Sequence, residues 1–251
     1  MDFKEYWAIV ERDHTIQNPS SPEKLMLLAD YCGVRDGLRV LDIGSGKGWL
    51  LRTWASRWAI SGTGVEINPW FVAEARERAR AEGVAGRVHF VEQPALQFTP
   101  DPEGYDVVLC IGASFALGSS DDAVLWMRQV LRPGGVLAIG EPFFTEIPLP
   151  EAALVELGMK PDSLRDLHGI VGALDAQGLE LQGLIVASQD DWDRYENPKW
   201  RAAYRWAAEH PEHPERDDLL QRVSRARRNY LRWERRYIGW GIFVTRPVPG
   251  S

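Results

Sequence analysis

Residues 40–48 read Val-Leu-Asp-Ile-Gly-Ser-Gly-Lys-Gly, an apolar run that enters a loop with three glycines. A helical pattern follows this glycine loop and ends near Trp58. Glycines at the end of a buried strand let a ligand approach bare backbone at the carboxyl edge of a sheet. The stretch therefore predicts the first strand, loop and helix of an α/β domain, with a ligand site at the loop.

Short apolar runs alternate with helical patterns on both sides of the glycine loop, which is typical of βα units and a parallel sheet. We predict helices on both faces of the sheet, with a mostly helical insertion, about 191–236, before the last strand. A helix is also predicted over about 162–176. The predicted strands are 39–43, about 62–67, 88–91, 105–111, 136–140, 180–187 and 237–245.

Composition limits the classes of protein that fit. The chain has 251 residues, of which 45% are hydrophobic and 26% charged, so one domain of this size can bury a full core. Cys32 and Cys110 lie far apart and indicate neither a disulfide framework nor a zinc site. Without a signal-length or membrane-length apolar run, and with a net charge of −7, we expect a cytoplasmic protein that binds neither membranes nor DNA.

The spacing of the loop separates it from two common nucleotide-binding motifs. The dinucleotide fingerprint is G-x-G-x-x-G, whereas this loop is G-x-G-x-G and places the bulky Trp49 where the third glycine would stand. Asp42, directly before the loop, would repel a pyrophosphate. The phosphate-binding P-loop also fails, because Lys47 precedes a glycine instead of Ser or Thr.

Three further motifs, in order, give the chain its resemblance to a known family. Glu66 ends the second predicted strand, residues 105–109 read Tyr-Asp-Val-Val-Leu, and residues 131–137 read Leu-Arg-Pro-Gly-Gly-Val-Leu. Together with the glycine loop, they resemble the class I S-adenosylmethionine-dependent methyltransferases over roughly residues 38–142. The resemblance implies a seven-stranded, mostly parallel sheet with an antiparallel last strand, and S-adenosylmethionine as cofactor.

The same resemblance implies a set of cofactor-binding residues. Glu66 would accept both ribose hydroxyls, for which a bidentate carboxylate is suited, and Asp42 suits the cationic methionine end. After the third strand the family often has Asp-Ala, whereas this chain has Glu92-Gln93-Pro94-Ala95, so the adenine contact is open between Glu92, Gln93 and the Ala95 amide. The predicted cofactor residues are Asp42, Gly44, Ser45, Gly46, Gly48, Glu66, Ile67, Gln93, Ala95, Ile111 and Gly112.

The substrate class follows from motifs that are absent after the fourth strand. Residues 111–115 read Ile-Gly-Ala-Ser-Phe. They contain neither the Asn/Asp-Pro-Pro-aromatic motif of amino-directed nucleic-acid methyltransferases nor the Pro-Cys nucleophile of cytosine C5 enzymes. A magnesium-dependent enzyme needs several oxygen ligands, and only Glu141 stands at the fifth strand end. We therefore expect a small-molecule acceptor and no metal.

Two residues are candidates for catalysis. Glu141, in Gly140-Glu141-Pro142, stands at the ligand-bearing edge of the sheet, where it would orient or deprotonate the acceptor or, alternatively, cap the strand. His14 lies in the N-terminal segment, which in the family often folds over the cofactor; it is either a lid contact or a surface histidine. His210 and His213 have a metal-like spacing, but two prolines between and beside them favour a rigid loop.

One segment departs from the acidic balance of the chain. Residues 199–236 hold 11 Lys or Arg against 6 Asp or Glu, among several aromatics. This favours a helical insertion with solvated arginines over an RNA-binding surface.

The prediction is a single domain: N-terminal helices over 1–36, a cofactor-binding core over 37–188, the insertion over 189–236, and the last strand and tail over 237–251. A nicotinamide-dependent oxidoreductase and a non-catalytic binding module are the alternatives. The oligomeric state is open.

Overall fold

The computed structural model describes residues 1–248 and 250 of the chain. The strands are β1 (Arg39–Ile43), β2 (Ser61–Glu66), β3 (Val88–Glu92), β4 (Tyr105–Ile111), β5 (Leu131–Phe144), β6 (Leu179–Val186) and β7 (Ile238–Pro247). The α-helices are α1 (Phe3–Val10), α2 (Pro22–Cys32), α3 (Trp49–Arg57), α4 (Pro69–Ala81), α5 (Ser120–Val130), α6 (Glu151–Leu157), α7 (Leu167–Ala176), α8 (Gln189–Glu209), α9 (Arg216–Asn229) and α10 (Arg235–Tyr237). A π-helix covers Tyr230–Glu234, and 3-10 turns cover Ala95–Gln97 and Ser114–Leu117.

The seven strands form one sheet in the order β3-β2-β1-β4-β5-β7-β6. The pairs among β1, β2, β3, β4 and β5 are parallel, and β6 pairs with β7 antiparallel. The predicted fold class, a seven-stranded mostly parallel sheet with an antiparallel last strand and helices on both faces, is confirmed. Its order reverses at β1, so the carboxyl ends of β1 and β4 flank the switch point where ligands bind in such sheets.

Local sequence sets the helix ends near this edge. Ser21 accepts a hydrogen bond from the Lys24 backbone N–H at 3.3 Å, and Pro22 occupies the first turn of α2. Asn68 caps α4 in the same way through the N–H of Trp70 at 3.1 Å. Both helices thus begin where Ser-Pro and Asn-Pro predict.

The predicted boundaries of two elements are wrong. The helix expected over about 162–176 begins only at Leu167, as α7, and it is preceded by a separate helix that was not predicted, α6, whose C-cap is Gly158 with a φ of +66°. The fifth strand is longer than the predicted 136–140 at both ends, because Leu131 already pairs with Tyr105 across a register shift and the strand continues to Phe144. The Pro-Gly-Gly sequence therefore lies within the strand range and marks an irregularity in its pairing. Glu141 also lies within β5, whereas the sequence predicted that it would end the strand.

The contacts of the described residues divide them into two compact units. The sheet unit comprises Ser21–Glu141, Ile170–Val186 and Gly241 onward, so α2 belongs with the sheet rather than with the N-terminal segment. The helical unit comprises Met1–Ser20, Pro142–Gly169 and Ala187–Trp240. That the chain acts as one domain stays a prediction.

The helical unit has its own apolar core. Buried side chains of α1, α8 and α9 form it, with partly buried aromatics packed around them; the cluster contains Ile9, Val10, Ala203, Leu219 and Val223, flanked by Tyr6, Trp7, Trp200 and Trp206. Among the helices of residues 1–248, none has the length and apolar character that a bilayer crossing requires.

Candidate cofactor and active site

The carboxyl ends of β2, β1 and β4 lie at one level of the sheet unit, beside residues 139–140 within β5. Val65, Ile43, Cys110 and Ile139 are consecutive partners across β2, β1, β4 and β5. One residue further, this row contains Glu66, Gly44, Ile111 and Gly140. With neighbouring strands ~4.8 Å apart, Glu66 and Gly140 stand about 14 Å apart in backbone position. The row is long enough for a nucleoside and opens onto the loops after the strands.

The glycine loop is tied to the end of β2 by backbone hydrogen bonds. The N–H groups of Gly44 and Ser45 both donate to the Val65 carbonyl, at 2.8 and 3.1 Å. The Gly46 N–H donates to Glu66 Oε2 at 3.0 Å, and the Asn68 N–H donates to Glu66 Oε1 at 2.7 Å. The half-buried Glu66 carboxylate is thereby fixed in orientation between the two loops. An ionised carboxylate has two oxygens and about four acceptor positions, and it can accept from two vicinal hydroxyls at once.

Small residues let the loop pack closely. Gly44 has a φ of +71°, and a Cβ there would stand 2.1 Å from Ala113 Cβ. A Cβ at Gly48 would stand 2.3 Å from the Phe90 ring, and one at Gly64 would stand 2.6 Å from Ser45 Oγ. The Ser45 hydroxyl is itself buried and has no hydrogen-bond partner among the described residues. A buried hydroxyl of this kind fits a site that a polar ligand completes.

Asp42 lies beneath the loop with 3% of its surface exposed. Burial, and secondarily the charge of Glu66, raise its pKa to about 8. A cation placed nearby would favour the ionised form of this carboxyl. The electrostatics of the site therefore favour a positively charged ligand group over a phosphate.

The far end of the row is formed by β4 and β5. Ile111 is buried, and the exposed Gly112 has a φ of +85° and donates its N–H to the Gly140 carbonyl at 3.0 Å. Glu141 is buried with 9% of its surface exposed. Burial, and after it the charges of Glu141 and Asp42, raise the pKa of the Cys110 thiol. Cys110 is thus an uncharged core thiol within the electrostatic reach of both carboxylates.

The remaining cofactor candidates lie beside the end of β2. The Gln93 N–H donates to the Glu66 carbonyl at 3.0 Å, which joins the loop after β3 to the same edge. Ile67 is 38% exposed and offers an apolar surface next to Glu66, whereas Ala95 is buried at the start of a 3-10 turn. The structure therefore brings the predicted residues of β1, β2 and β3 together.

His14 belongs to the helical unit, whereas Glu141 belongs to the sheet unit. His14 is buried, with only 6% of its surface exposed, and is therefore not a surface histidine. Its Nε2 lies 2.8 Å from the Tyr195 carbonyl, which makes Nε2 the protonated nitrogen. In the neutral ring, Nδ1 is then the nitrogen that can take up a proton.

Sequence reasoning missed the residues that support the loop from other elements. Phe90, Ala113 and Gly64 limit its space, and Asn68 helps to hold Glu66. The glycines at 62 and 64 were the available signal, because glycine inside a strand often marks a close approach of another part of the chain.

The two histidines with metal-like spacing contact an aromatic ring. Trp206 stacks on His210 with centroids 4.6 Å apart and meets His213 edge-on at 4.9 Å. Across residues 1–248 and 250, no three His, Cys, Asp or Glu side chains are grouped as metal ligands.

Comparisons with known proteins point to one family. A family model described as "Methyltransferase domain" matches residues 40–135. The Uncharacterized protein YjhP of Escherichia coli (strain K12) is 35% identical over 97% of this chain and 98% of its own length.

Two crystal structures of S-adenosylmethionine-dependent methyltransferases in complex with S-adenosyl-L-homocysteine are similar throughout. That from Geobacter sulfurreducens has a TM-score of 0.92, is 32% identical and covers 98% of this chain and 99% of its own. That from Thiobacillus denitrificans has a TM-score of 0.92, is 35% identical and covers 98% of this chain and 100% of its own.

Proposed function

Because the chain belongs to the S-adenosylmethionine-dependent methyltransferases and has S-adenosylmethionine as cofactor, we propose that it methylates a small-molecule acceptor. The observation that supports the site is the Glu66 carboxylate, held by the N–H groups of Gly46 and Asn68 beside the glycine loop. This arrangement holds an acceptor for vicinal hydroxyls at a fixed position. S-adenosylmethionine, when bound, supplies an electrophilic methyl group.

In this proposal, the two ends of the cofactor are held by two carboxylates of different character. Glu66 accepts the ribose hydroxyls, and Asp42 balances the ammonium of the methionine part. The backbone and small side chains of residues 44–48 approach the cofactor. The exposed apolar side chain of Ile67 faces the adenine ring. The residues assigned to the cofactor are Asp42, Gly44, Ser45, Gly46, Gly48, Glu66, Ile67, Gln93, Ala95, Ile111 and Gly112.

The Glu66→Ala variant should bind S-adenosylhomocysteine about ten- to a hundredfold more weakly than wild type. It loses hydrogen bonds from two hydroxyls to a charged group, which typically costs about 1.5–3 kcal/mol. Isothermal titration calorimetry measures the dissociation constants, and Glu77→Ala, an exposed carboxylate on α4, is the control. Equal affinity in Glu66→Ala and wild type would show that the ribose lies elsewhere.

The pKa of Asp42 makes cofactor binding dependent on pH. In the free protein Asp42 holds a proton below about pH 8, and a bound ammonium favours the carboxylate, so binding releases one proton. The affinity should therefore rise about tenfold per pH unit well below this pKa and level off above it. Titration of S-adenosylhomocysteine between pH 6 and 9 measures the profile, which Asp42→Asn should flatten. A wild-type profile parallel to that of Asp42→Asn would remove Asp42 from this role.

The same substitution should stabilise the cofactor-free protein. Between its unfolded pKa of 3.8 and its folded pKa of about 8, Asp42 is protonated in the folded state and ionised in the unfolded chain. Stability due to this group therefore falls as pH rises through that window. At pH 7 we expect a higher melting temperature for unliganded Asp42→Asn than for wild type, and no difference at pH 4.

We propose that Glu141, within β5, orients or deprotonates the acceptor, and that His14 assists. Methyl transfer is an in-line displacement, so positioning supplies much of its rate, and a base is needed where the nucleophile carries a proton. His14→Ala should reduce turnover less than a substitution at Glu141.

A small molecule suits the site better than RNA. In the basic segment many arginines already pair with carboxylates of the helical unit: Arg232 with Glu156 at 2.9 Å, and Arg235 with Asp193 at 3.0 Å. Ion pairs of this kind reduce the charge available for phosphates. The proposal includes a cytoplasmic location, which the two buried free thiols of Cys32 and Cys110 favour.

The test of the proposed function is release of S-adenosylhomocysteine from S-adenosylmethionine in the presence of a metabolite library. Turnover with one acceptor class supports it. If cofactor binds but no compound or nucleic acid increases release, the non-catalytic binding module replaces it.

A further inference from the structure

Lys47 stands in the middle of the glycine loop, between Gly46 and Gly48, and only 2% of its surface is exposed. A lysine is almost never buried to this degree unless its ammonium is paired, because an unpaired charge loses its hydration without compensation. Within residues 46–48, Lys47 is the one residue with a side chain. It is therefore the residue through which this part of the loop can be connected to a neighbouring element.

The ammonium of Lys47 has a partner on α4. Lys47 Nζ pairs with Glu74 Oε2 at 2.9 Å, and it lies 5.9 Å from the centroid of the Phe71 ring, three residues earlier on the same helix. The second oxygen of Glu74 pairs with Nη2 of the more exposed Arg78 at 2.5 Å. A buried cation and a surface cation thus share one carboxylate, and the buried pair is the less screened by water and salt.

The backbone of Lys47 is held from a second side. Arg52, near the start of α3, donates from Nε to the Lys47 carbonyl at 3.3 Å. Arg52 is itself 2% exposed, and its guanidinium pairs with Glu82, the C-cap residue of α4. Two buried cations therefore connect the glycine loop to α4, one of them the lysine of the loop itself.

These contacts bear on the cofactor site through the backbone. Gly46, directly before Lys47, donates its N–H to Glu66 Oε2 at 3.0 Å. Hydrogen bonds weaken steeply when their distance and angle leave the optimum, so a displaced Lys47 would weaken this one. The position of Lys47 thus affects the orientation of the carboxylate assigned to the ribose hydroxyls.

We propose that Lys47 and Glu74 are positioning residues for S-adenosylmethionine: their buried ion pair holds the glycine loop against α4 in the conformation that binds the cofactor. The inference rests on the proposed location of the cofactor site. Neither side chain needs to touch the cofactor. Because the pair orders the loop before the cofactor arrives, the affinity is not reduced by the entropy of ordering it.

The test is a double-mutant cycle on S-adenosylhomocysteine affinity, measured by isothermal titration calorimetry. Lys47→Met removes one charge and keeps most of the side-chain length, and Glu74→Gln removes the other charge at nearly constant shape. Each should weaken binding about tenfold, and the double variant should bind no more weakly than either, because both changes remove the same interaction. Arg80→Met and Glu77→Gln, similar changes at exposed positions of α4, should bind as wild type does.

Two further measurements separate positioning of the loop from stability of the fold. In NMR spectra of the cofactor-free protein, the Gly46 amide proton should move upfield in Lys47→Met as its hydrogen bond to Glu66 weakens. A pair that only stabilises the fold would leave this resonance in place. Melting temperatures of the same samples give the folded fraction, so that dissociation constants are compared for folded protein. If Lys47→Met does not fold, Glu74→Gln, which keeps an acceptor for the ammonium, provides the same test.

Wild-type affinity in both single variants, or additive losses in the double variant, would overturn the positioning role. Glu66→Ala, measured alongside, reports on the cofactor site itself. If Glu66→Ala binds weakly while Lys47→Met and Glu74→Gln bind as wild type does, the site stands and the ion pair has no part in it. If Glu66→Ala also binds as wild type does, the proposed site is wrong and this inference is wrong with it.

Discussion

Replacing Glu141 by Gln should lower turnover by about a hundred- to ten-thousandfold, the usual contribution of a general base. The amide keeps the size of the side chain but cannot take up a proton. Glu141 lies within β5, one residue beyond Gly140, and Gly140 stands about 14 Å from Glu66 across the sheet. The affinity for the cofactor should therefore change little. The loss of activity should appear in the single-turnover rate, measured with the acceptor that the metabolite library identifies.

Two further variants make this prediction specific. Glu141→Asp retains a carboxylate and should keep more activity than Glu141→Gln. Glu180→Gln makes the same chemical change at an exposed position of β6 and should retain full activity. The pH dependence of single-turnover rate should lose one ionisation in Glu141→Gln only. If Glu141→Gln turns over as fast as wild type, Glu141 is not a base, and positioning of the acceptor alone accounts for the rate.

Glu141 is also a buried carboxylate, so its structural contribution needs a separate measurement. If the role of Glu141 is only structural, Glu141→Gln should lower the melting temperature and leave the turnover of the folded fraction unchanged. If it acts on the acceptor, the melting temperature should stay close to wild type while turnover falls. The two outcomes are distinguished by measuring unfolding and turnover on the same samples.

Much of the fold follows from local sequence, because the elements near the cofactor edge carry their own start and stop signals. Ser21-Pro22 and Asn68-Pro69 begin helices where such pairs do in general, and the alternation of apolar runs predicts all seven strands. The prediction fails over 162–166, where the chain forms turns and α7 begins only at Leu167. There the Gly169 N–H donates to Asp166 Oδ1 at 2.7 Å, so Asp166 rather than an earlier residue caps the helix.

The candidate site, too, could be predicted from the sequence only in part. The family resemblance gave Glu66 and the glycine loop, whereas the hydrogen bonds that orient Glu66 depend on how β2 and the loop meet. In the helical unit the difference is larger, since Tyr195 and Glu11 are 184 positions apart and are joined by one hydrogen bond. Long-range pairs of this kind hold the segment around His14 against α8, and no local motif predicts them.

Gly44→Ala should destabilise the protein by several kcal/mol and abolish cofactor binding, whereas Gly83→Ala should cost about 1–2 kcal/mol. Both glycines have a φ of +71°, but a Cβ at Gly83 meets nothing within 4 Å, and one at Gly44 stands 2.1 Å from Ala113 Cβ. The difference in stability between the two variants therefore measures the cost of the steric overlap, apart from the cost of the positive φ. Thermal unfolding should show this difference as a shift in melting temperature of about 2–4 °C per kcal/mol for a chain of this size.

A compensating substitution provides the decisive test of this explanation. Ala113→Gly removes the Cβ that Gly44→Ala would meet, so the double variant should recover the part of the loss that overlap causes and retain only the cost of the positive φ. S-adenosylhomocysteine binding should return with it, because the glycine loop can again pack against the turn after β4. If the double variant is no more stable than Gly44→Ala, the contact between Gly44 and Ala113 does not set the position of the loop.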